Sequence, residues 1–416
     1  MLTTVGLVAE DDRREILKSE LSRFGFSVAP RNTGTSKLHA LLIDGSLDQY
    51  ADKHLKPLSK ESVQPCFIAV LAPSHLYDQS ASQGIALSPS ISSFAQQLRI
   101  HLRQQDIKAE AELRKKTLSS LGSDFVFSNP SPGAGNCLLY YGEPGAFYLK
   151  FKAEMARKGY ATQAVLTERT AFEALRTHRP SAFVVHVQET FFPYELLDHI
   201  QGRPDLKSMP VIGLSEMCDP LPENLDHLSA LIRFGARFAD AATALAEQVE
   251  HSLVSAPLHA PDCVAPARDA YANCFSEEYG RLHLQEQARY ALETSTDLTG
   301  IVLEPFLADS GELLEAIDLP PFSTLLSTLL RGQDFCCRID WKRFVVTMPG
   351  TDIARATDAF ERARRVMEAT PSKTGSFYSF RFKAVELEDI HSSDHFARKL
   401  FGMDFGKSAN PQSNVA

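Results

Sequence analysis

Arg331 and Asp334 stand three residues apart in the segment RGQD. A guanidinium presents five donors in a rigid fork and a carboxylate only accepts, so the two can close on each other as a surface ion pair or face one ligand together. Shortly after them comes Asp340-Trp341-Lys342-Arg343-Phe344, set between the apolar runs FCC and FVV as the turn of a hairpin. Near the start of the chain Glu10-Asp11-Asp12 follows the apolar run VGLVA, and Asp44 ends the run HALLI. Carboxylates gathered at strand ends are a donor set for Mg2+. His391, Asp394 and His395 fit one helix turn, but no distant third ligand accompanies them, so no metal site is expected. Cys336 and Cys337 alternate across a strand and cannot readily chelate. No GxxxxGK[ST] and no glycine-rich dinucleotide fingerprint occurs.

These residues need a scaffold. The chain has 416 residues, 44% hydrophobic and 23% charged, ordinary globular values that predict about three domains. No run approaches the length of a membrane span, and the N-terminus lacks the features of a signal peptide. A net charge of -9 argues against non-specific DNA binding but not against a local basic site for a phosphorylated ligand. Seven cysteines without a CxxC suit reduced thiols in the cytoplasm. Apolar strands near 5–9, 26–28, 39–43 and 66–71 alternate with helical patterns, and so do strands near 138–141, 162–166, 182–187 and 210–214. Both series predict βαβ units with a parallel sheet. A proline-bearing stretch over 255–268 reads as a linker. Beyond it follow a helix near 279–292, a strand over 299–303, a helix over 322–330, a hairpin over 335–348 and a helix over 352–369.

The first domain resembles the receiver domain of bacterial response regulators, through its acidic cluster and Asp44. The resemblance implies a flavodoxin-like fold, with Asp44 as a possible phosphoacceptor. The match is partial. The pocket positions fall near Ala9-Glu10, so one acid is missing. LAP stands at the Thr/Ser position, and Ser88 where the family has Lys. Mg2+ is implied here alone, and only with a working acidic pocket. The second domain keeps the scaffold but has Tyr141-Gly142-Glu143 at the acidic pair and His186 at the acceptor position, so it reads as a phosphorylation-dead adaptor or dimerisation module.

The last third resembles the GGDEF domain of diguanylate cyclases, a palm-like α+β fold with a mixed sheet. In that family RxxD precedes the hairpin and GGDEF begins nine residues after its Arg; Asp340 is nine after Arg331, and Phe344 keeps the terminal Phe. MPGTD and the following helix are in frame. The letters of the active site are not kept. Asp340 and Trp341 replace the two glycines, leaving an acid facing phosphates and a large ring, and Lys342 replaces a metal carboxylate and inverts its charge. The strand carboxylates fall at Leu303 and Pro305, though Glu304 and Glu312 lie nearby. By resemblance, Arg331 and Asp334 form the site where cyclic di-GMP binds, with Gly332 free to take a left-handed turn between them. Arg can form bidentate bonds to guanine O6 and N7, and Asp can accept from its N1 and N2. Arg362 supplies the third contact. It lies off the apolar stripe Ile353, Ala356, Phe360, Ala363 and Met367, free to reach phosphate or stack on a base. Trp341 is either a protein contact or a cap on the disused pocket.

The expected organisation is receiver-like 1–118, receiver-like 119–254, linker 255–268, degenerate GGDEF 269–403 and a disordered tail 404–416. That order resembles the PleD class of response regulators. It implies a catalytically inactive cyclic di-GMP effector and adaptor with no catalytic residues, acting as a homodimer through protein partners in cell-cycle control and regulated proteolysis. It implies a cytoplasmic chain, recruited by partners to a cell pole, without DNA or membrane insertion. A weakly active diguanylate cyclase and a phosphorelay receiver acting through Asp44 remain the alternatives.

Overall fold

A computed structural model describes residues 3–30, 38–44, 67–71, 86–88, 90–121, 136–143, 145–177, 180–188, 192–203, 206, 209–216, 222, 224–225, 227–234, 238–255, 267–331, 333–373, 375–388, 392–403 and 405. Ala72-Pro73 of LAP, Gly332, His391, most of the 255–268 linker and nearly all of the 404–416 tail lie outside them.

The first unit holds β1 (Thr4–Val8), α1 (Asp11–Arg23), β2 (Ser27–Val28), β3 (Ala40–Asp44), β4 (Phe67–Leu71) and β5 (Ala86–Ser88). Its sheet is parallel, in the order β2-β1-β3-β4-β5. The second unit holds β6 (Cys137–Tyr141), β7 (Ala161–Val165), β8 (Ala182–His186), β9 (Val211–Glu216) and β10 (Ala230–Phe234), and repeats that order as β7-β6-β8-β9-β10. Both are the flavodoxin-like doubly wound arrangement. The central strands ALLID and AFVVH are buried along their whole length, because a parallel sheet is covered on both faces; accordingly they are apolar up to the closing Asp44 and His186. Helices α3 (Ala146–Arg157), α4 (Glu168–Thr177), α5 (Tyr194–Gly202) and α6 (Phe238–Ser255) accompany the second sheet.

Between the two sheets runs α2 (Ile91–Ser120), 30 residues and so about 45 Å long. The Ser90 hydroxyl caps it by accepting from the Ser93 N–H at 3.1 Å. Its first turns supply Ile91, Phe94, Ala95 and Leu98 to the core of the first unit, Ile100 joins that of the second, and Leu118 that of the third. The boundary expected at 118 therefore falls inside a continuous helix.

The third unit contains α7 (Glu277–Thr294), β11 (Leu298–Leu307), α8 (Leu319–Leu329), β12 (Phe335–Arg338), β13 (Phe344–Pro349), α9 (Ile353–Glu368), β14 (Tyr378–Glu386) and α10 (Ser393–Phe401). Its sheet order is β12-β13-β11-β14 with antiparallel ladders, and Phe275 adds a parallel bridge to Cys337. Tyr279, Leu284, Phe396 and Leu400 cover one face; Phe322, Leu326, Ala356 and Phe360 cover the other. The packing is close enough to select glycine. A Cβ on Gly280 of α7 would stand 2.8 Å from the Cys337 Cβ. No helix among the described residues is long and apolar enough to cross a membrane.

Candidate ligand site

Arg331 leaves the end of α8, and Asp334 leads into β12. The carboxylate turns back on the loop. It accepts from the Arg331 backbone N–H at 2.8 Å, from Nη2 at 3.0 Å and from Nε at 3.2 Å, while the Asp334 N–H donates to the Arg331 carbonyl at 3.0 Å. A second donor from Arg331 Nη2 reaches Thr351 Oγ1 at 2.7 Å. Thr351 is fixed in turn through its carbonyl, which accepts from Thr299 Oγ1 at 2.7 Å. Asp334 is 1% exposed, whereas the Arg331 side chain is 49% exposed. The loop thus holds a buried acid beneath a half-exposed guanidinium. The charge of Asp334 keeps that guanidinium protonated above its ordinary range.

Behind the loop lies a buried polar cluster that sequence reading missed. Arg114 of α2 donates to the Asp334 carbonyl at 3.1 Å and to Glu110 at 2.6 Å. Glu110 also meets His283 Nε2 at 2.9 Å and accepts from Gln287 at 2.8 Å. Thr347 of β13 donates to Gln287 at 2.6 Å, and Thr117 meets His283 Nδ1 at 3.1 Å. The Arg114 guanidinium lies 5.4 Å from the Phe275 ring centroid and 5.9 Å from that of Phe335. Burial alone would raise the Glu110 carboxyl; Arg114 and His283 outweigh it and hold the group down at about 2. The only sequence signal was the spacing of Asp106, Glu110 and Arg114, four apart on one helix face. In a charged run such spacing reads as a solvated surface.

The hairpin turn differs from its expected geometry. Asp340 does not face outward toward phosphates. Its carboxylate accepts from the N–H groups of Lys342 at 2.8 Å and Arg343 at 2.7 Å, and from Arg343 Nε at 2.7 Å, because a short Asx side chain satisfies turn donors well. Arg343 also donates to the Met403 carbonyl. Phe344 is core, and Leu303 pairs with it across the sheet. The buried Glu304 carboxylate takes Lys342 Nζ at 3.4 Å on one oxygen and Arg381 on the other. Two cations of the protein thus neutralise this carboxylate. Trp341 is 60% exposed, with Lys342 Nζ 6.0 Å from its ring.

Arg362 is exposed on α9, nine residues and about 14 Å along that helix from Ile353. Asp44 is buried at the end of β3, 3.0 Å from Arg13 Nε, while Glu10, Asp11 and Asp12 are exposed and Ser88 is buried. His186 is packed flat on Phe147, with ring centroids 4.3 Å apart. Asp394 pairs with Arg398 at 2.7 Å and accepts from Gln285 at 3.0 Å.

No family model and no curated protein matches the chain. Among solved structures it is similar to the GGDEF domain of DgcB from Caulobacter crescentus in complex with c-di-GMP, at 12% identity and a TM-score of 0.30, over 34% of this chain and 86% of that one. It is similar to the FimX GGDEF domain from Pseudomonas aeruginosa, at 13% identity and a TM-score of 0.29, over 33% of this chain and 91% of that one. The receiver domain of a signal transduction histidine kinase from Syntrophus aciditrophicus is 23% identical, with a TM-score of 0.26, over 31% of this chain and 98% of that one. The fold itself rests on strand order and register.

Proposed function

We propose that this chain is a cyclic di-GMP-binding effector built from two receiver-like units and a degenerate GGDEF-type domain, resembling PopA, the catalytically dead member of the PleD class. The observation that carries the reading is the Arg331 guanidinium, half-exposed and pre-aimed by a buried Asp334 and by Thr351. A fork held in place loses little freedom on taking a guanine edge or a phosphate. Arg362 offers the third contact. For Asp334 to meet guanine directly, its bonds to Arg331 must open. Otherwise it serves by positioning the fork.

The same reading makes the hairpin non-catalytic. Condensing two GTPs needs Mg2+ between carboxylates, and here Lys342 and Arg381 take the Glu304 charge. Signalling then runs through protein partners. By resemblance they belong to regulated proteolysis and the cell cycle, with a homodimer and recruitment to a cell pole. Ligand acts on these only through its differential affinity for two arrangements of the chain.

The test is calorimetric titration of cyclic di-GMP into the full chain. Wild type is expected to bind. Arg331→Lys keeps a cation beside Asp334 but removes the fork, and should weaken binding at least about tenfold, or about 1.4 kcal/mol, with an unchanged melting temperature. No heat with wild type would sink the reading. Production of cyclic di-GMP from GTP and Mg2+ would replace it with the enzyme. For the phosphorelay alternative, Arg13 holds Asp44, so acetyl phosphate with Mg2+ is expected to leave no label on the wild-type chain. Label lost in Asp44→Asn would establish the relay instead.

A further inference from the structure

The element packed behind the RxxD loop carries further charged groups. Asp106, Glu110 and Arg114 recur every four residues along one face of α2. The last two are buried in the cluster that grips the Asp334 carbonyl. Asp106, the first of the three, continues the stripe toward Gly350. Its Oδ2 lies 3.9 Å from where a Cβ on Gly350 would stand, and Gly350 adjoins Thr351, the residue that fixes Arg331. Arg331 and Asp334 both act on Asp106 electrostatically, as does Arg103 from its own helix. On α7, Tyr290 feels the Asp106 charge. Arg103 is itself tied to the second receiver-like unit, donating to the Leu228 carbonyl at 2.7 Å.

Asp106 is wetted and crowded at once. Its surface is exposed, yet surrounding protein, ahead of the Asp334 charge, pushes its carboxyl up to about 6, against the pull of Arg331 and Arg103. Arg331 has the same character, half-exposed while burial opposes its charge. Asp106 and Arg331 thus lie close together where α2 packs beside the RxxD loop. A ligand carrying phosphates that reaches Arg331 there meets one wanted cation and one unwanted anion.

Resting on the effector reading, we propose that Asp106 is an affinity-setting residue of the dinucleotide site: its carboxylate competes with ligand phosphate for Arg331, and binding of the anionic ligand draws a proton from solvent onto Asp106. The sign follows from charge. A bound phosphate disfavours the ionised carboxylate further, so the complex binds more protons than the free protein and affinity rises as pH falls. Each unit by which the ligand raises the carboxyl contributes a factor of about ten across the titration. The site is thereby shared between domains, and the stem helix becomes a determinant of ligand affinity.

The experiment titrates cyclic di-GMP into the full chain and into Asp106→Asn at pH 5.5 and pH 8, each in two buffers of different ionisation enthalpy. Wild type is expected to bind about tenfold tighter at pH 5.5 and to take up protons on binding. Asp106→Asn should bind at pH 8 as wild type does at pH 5.5, with no pH dependence, which separates Asp106 from the histidines that titrate over the same range. A flat wild-type profile, or an Asn variant no tighter at pH 8, overturns the proposal. Should neither protein bind cyclic di-GMP, the effector reading fails on its own. The same titration with inorganic sulfate, which does not itself titrate between pH 5.5 and pH 8, then decides the competition: proton-linked binding lost in Asp106→Asn supports it, and proton-independent binding or no binding overturns it.

Discussion

A half-exposed arginine over a buried aspartate divides the work of the RxxD loop unequally. Arg331 can reach a ligand. Asp334, with three donors of Arg331 on its carboxylate, chiefly sets where that arginine points. Removing Asp334 leaves a backbone N–H and the guanidinium without their acceptor, at about 1–3 kcal/mol for the former alone. Asp334→Ala is therefore expected to lose both ligand affinity and thermal stability, while Arg331→Lys loses only affinity. A melting curve run beside each titration checks this split. Equal melting temperatures for the two variants would contradict it. The same logic governs Glu304, each of whose carboxylate oxygens is held by a cation of the protein.

At the scale of elements, the third unit is held by contacts that tolerate no added atom. Gly280 lets α7 lie against β12, where a Cβ would press on the Cys337 side chain. Overpacking of that kind typically costs 1–3 kcal/mol, so Gly280→Ala should lower the stability of the third unit by about that amount despite its better helix propensity. Chemical denaturation compares the two directly, and a more stable Ala variant would mean that α7 can move. The hairpin turn is likewise fixed from within, by Asp340 bound to Lys342 and Arg343. This leaves Trp341 on the outer surface.

At the scale of the molecule, α2 supplies apolar residues to three cores and a buried ion pair to the seam with the third. Breaking such a pair by removing one partner costs about 3–5 kcal/mol, since the other charge stays buried. Glu110→Ala should therefore loosen the stem from the third unit, which protection of α7 amides in hydrogen exchange would report. The pH dependence follows. Glu110 is held at about 2, below its ordinary 4.5, so its contribution is fully present above about pH 4.5. It is lost as pH falls from there toward 2, and is worth roughly 3 kcal/mol over that range. Acid unfolding followed by circular dichroism should show this loss in wild type and its absence in Glu110→Gln. A wild-type curve flat from pH 5 to pH 3 would contradict it.

Local residue patterns alone determined much of this protein. ALLID and AFVVH are apolar up to their last residues, Asp44 and His186, as a strand covered on both faces requires. The nine-residue step from Arg331 to Asp340 orders the loop and hairpin through the resemblance to GGDEF domains. What the sequence could not supply was the far side of the site. The interval from Glu110 to His283 is 173 residues, and no local periodicity marks which face of α2 is buried. Nor could residue types reveal that Asp340 folds inward or that Asp44 is held by Arg13. A charged side chain carries the same letter whether it faces water, a ligand or another charge; only the packing of one helix against three cores decides which.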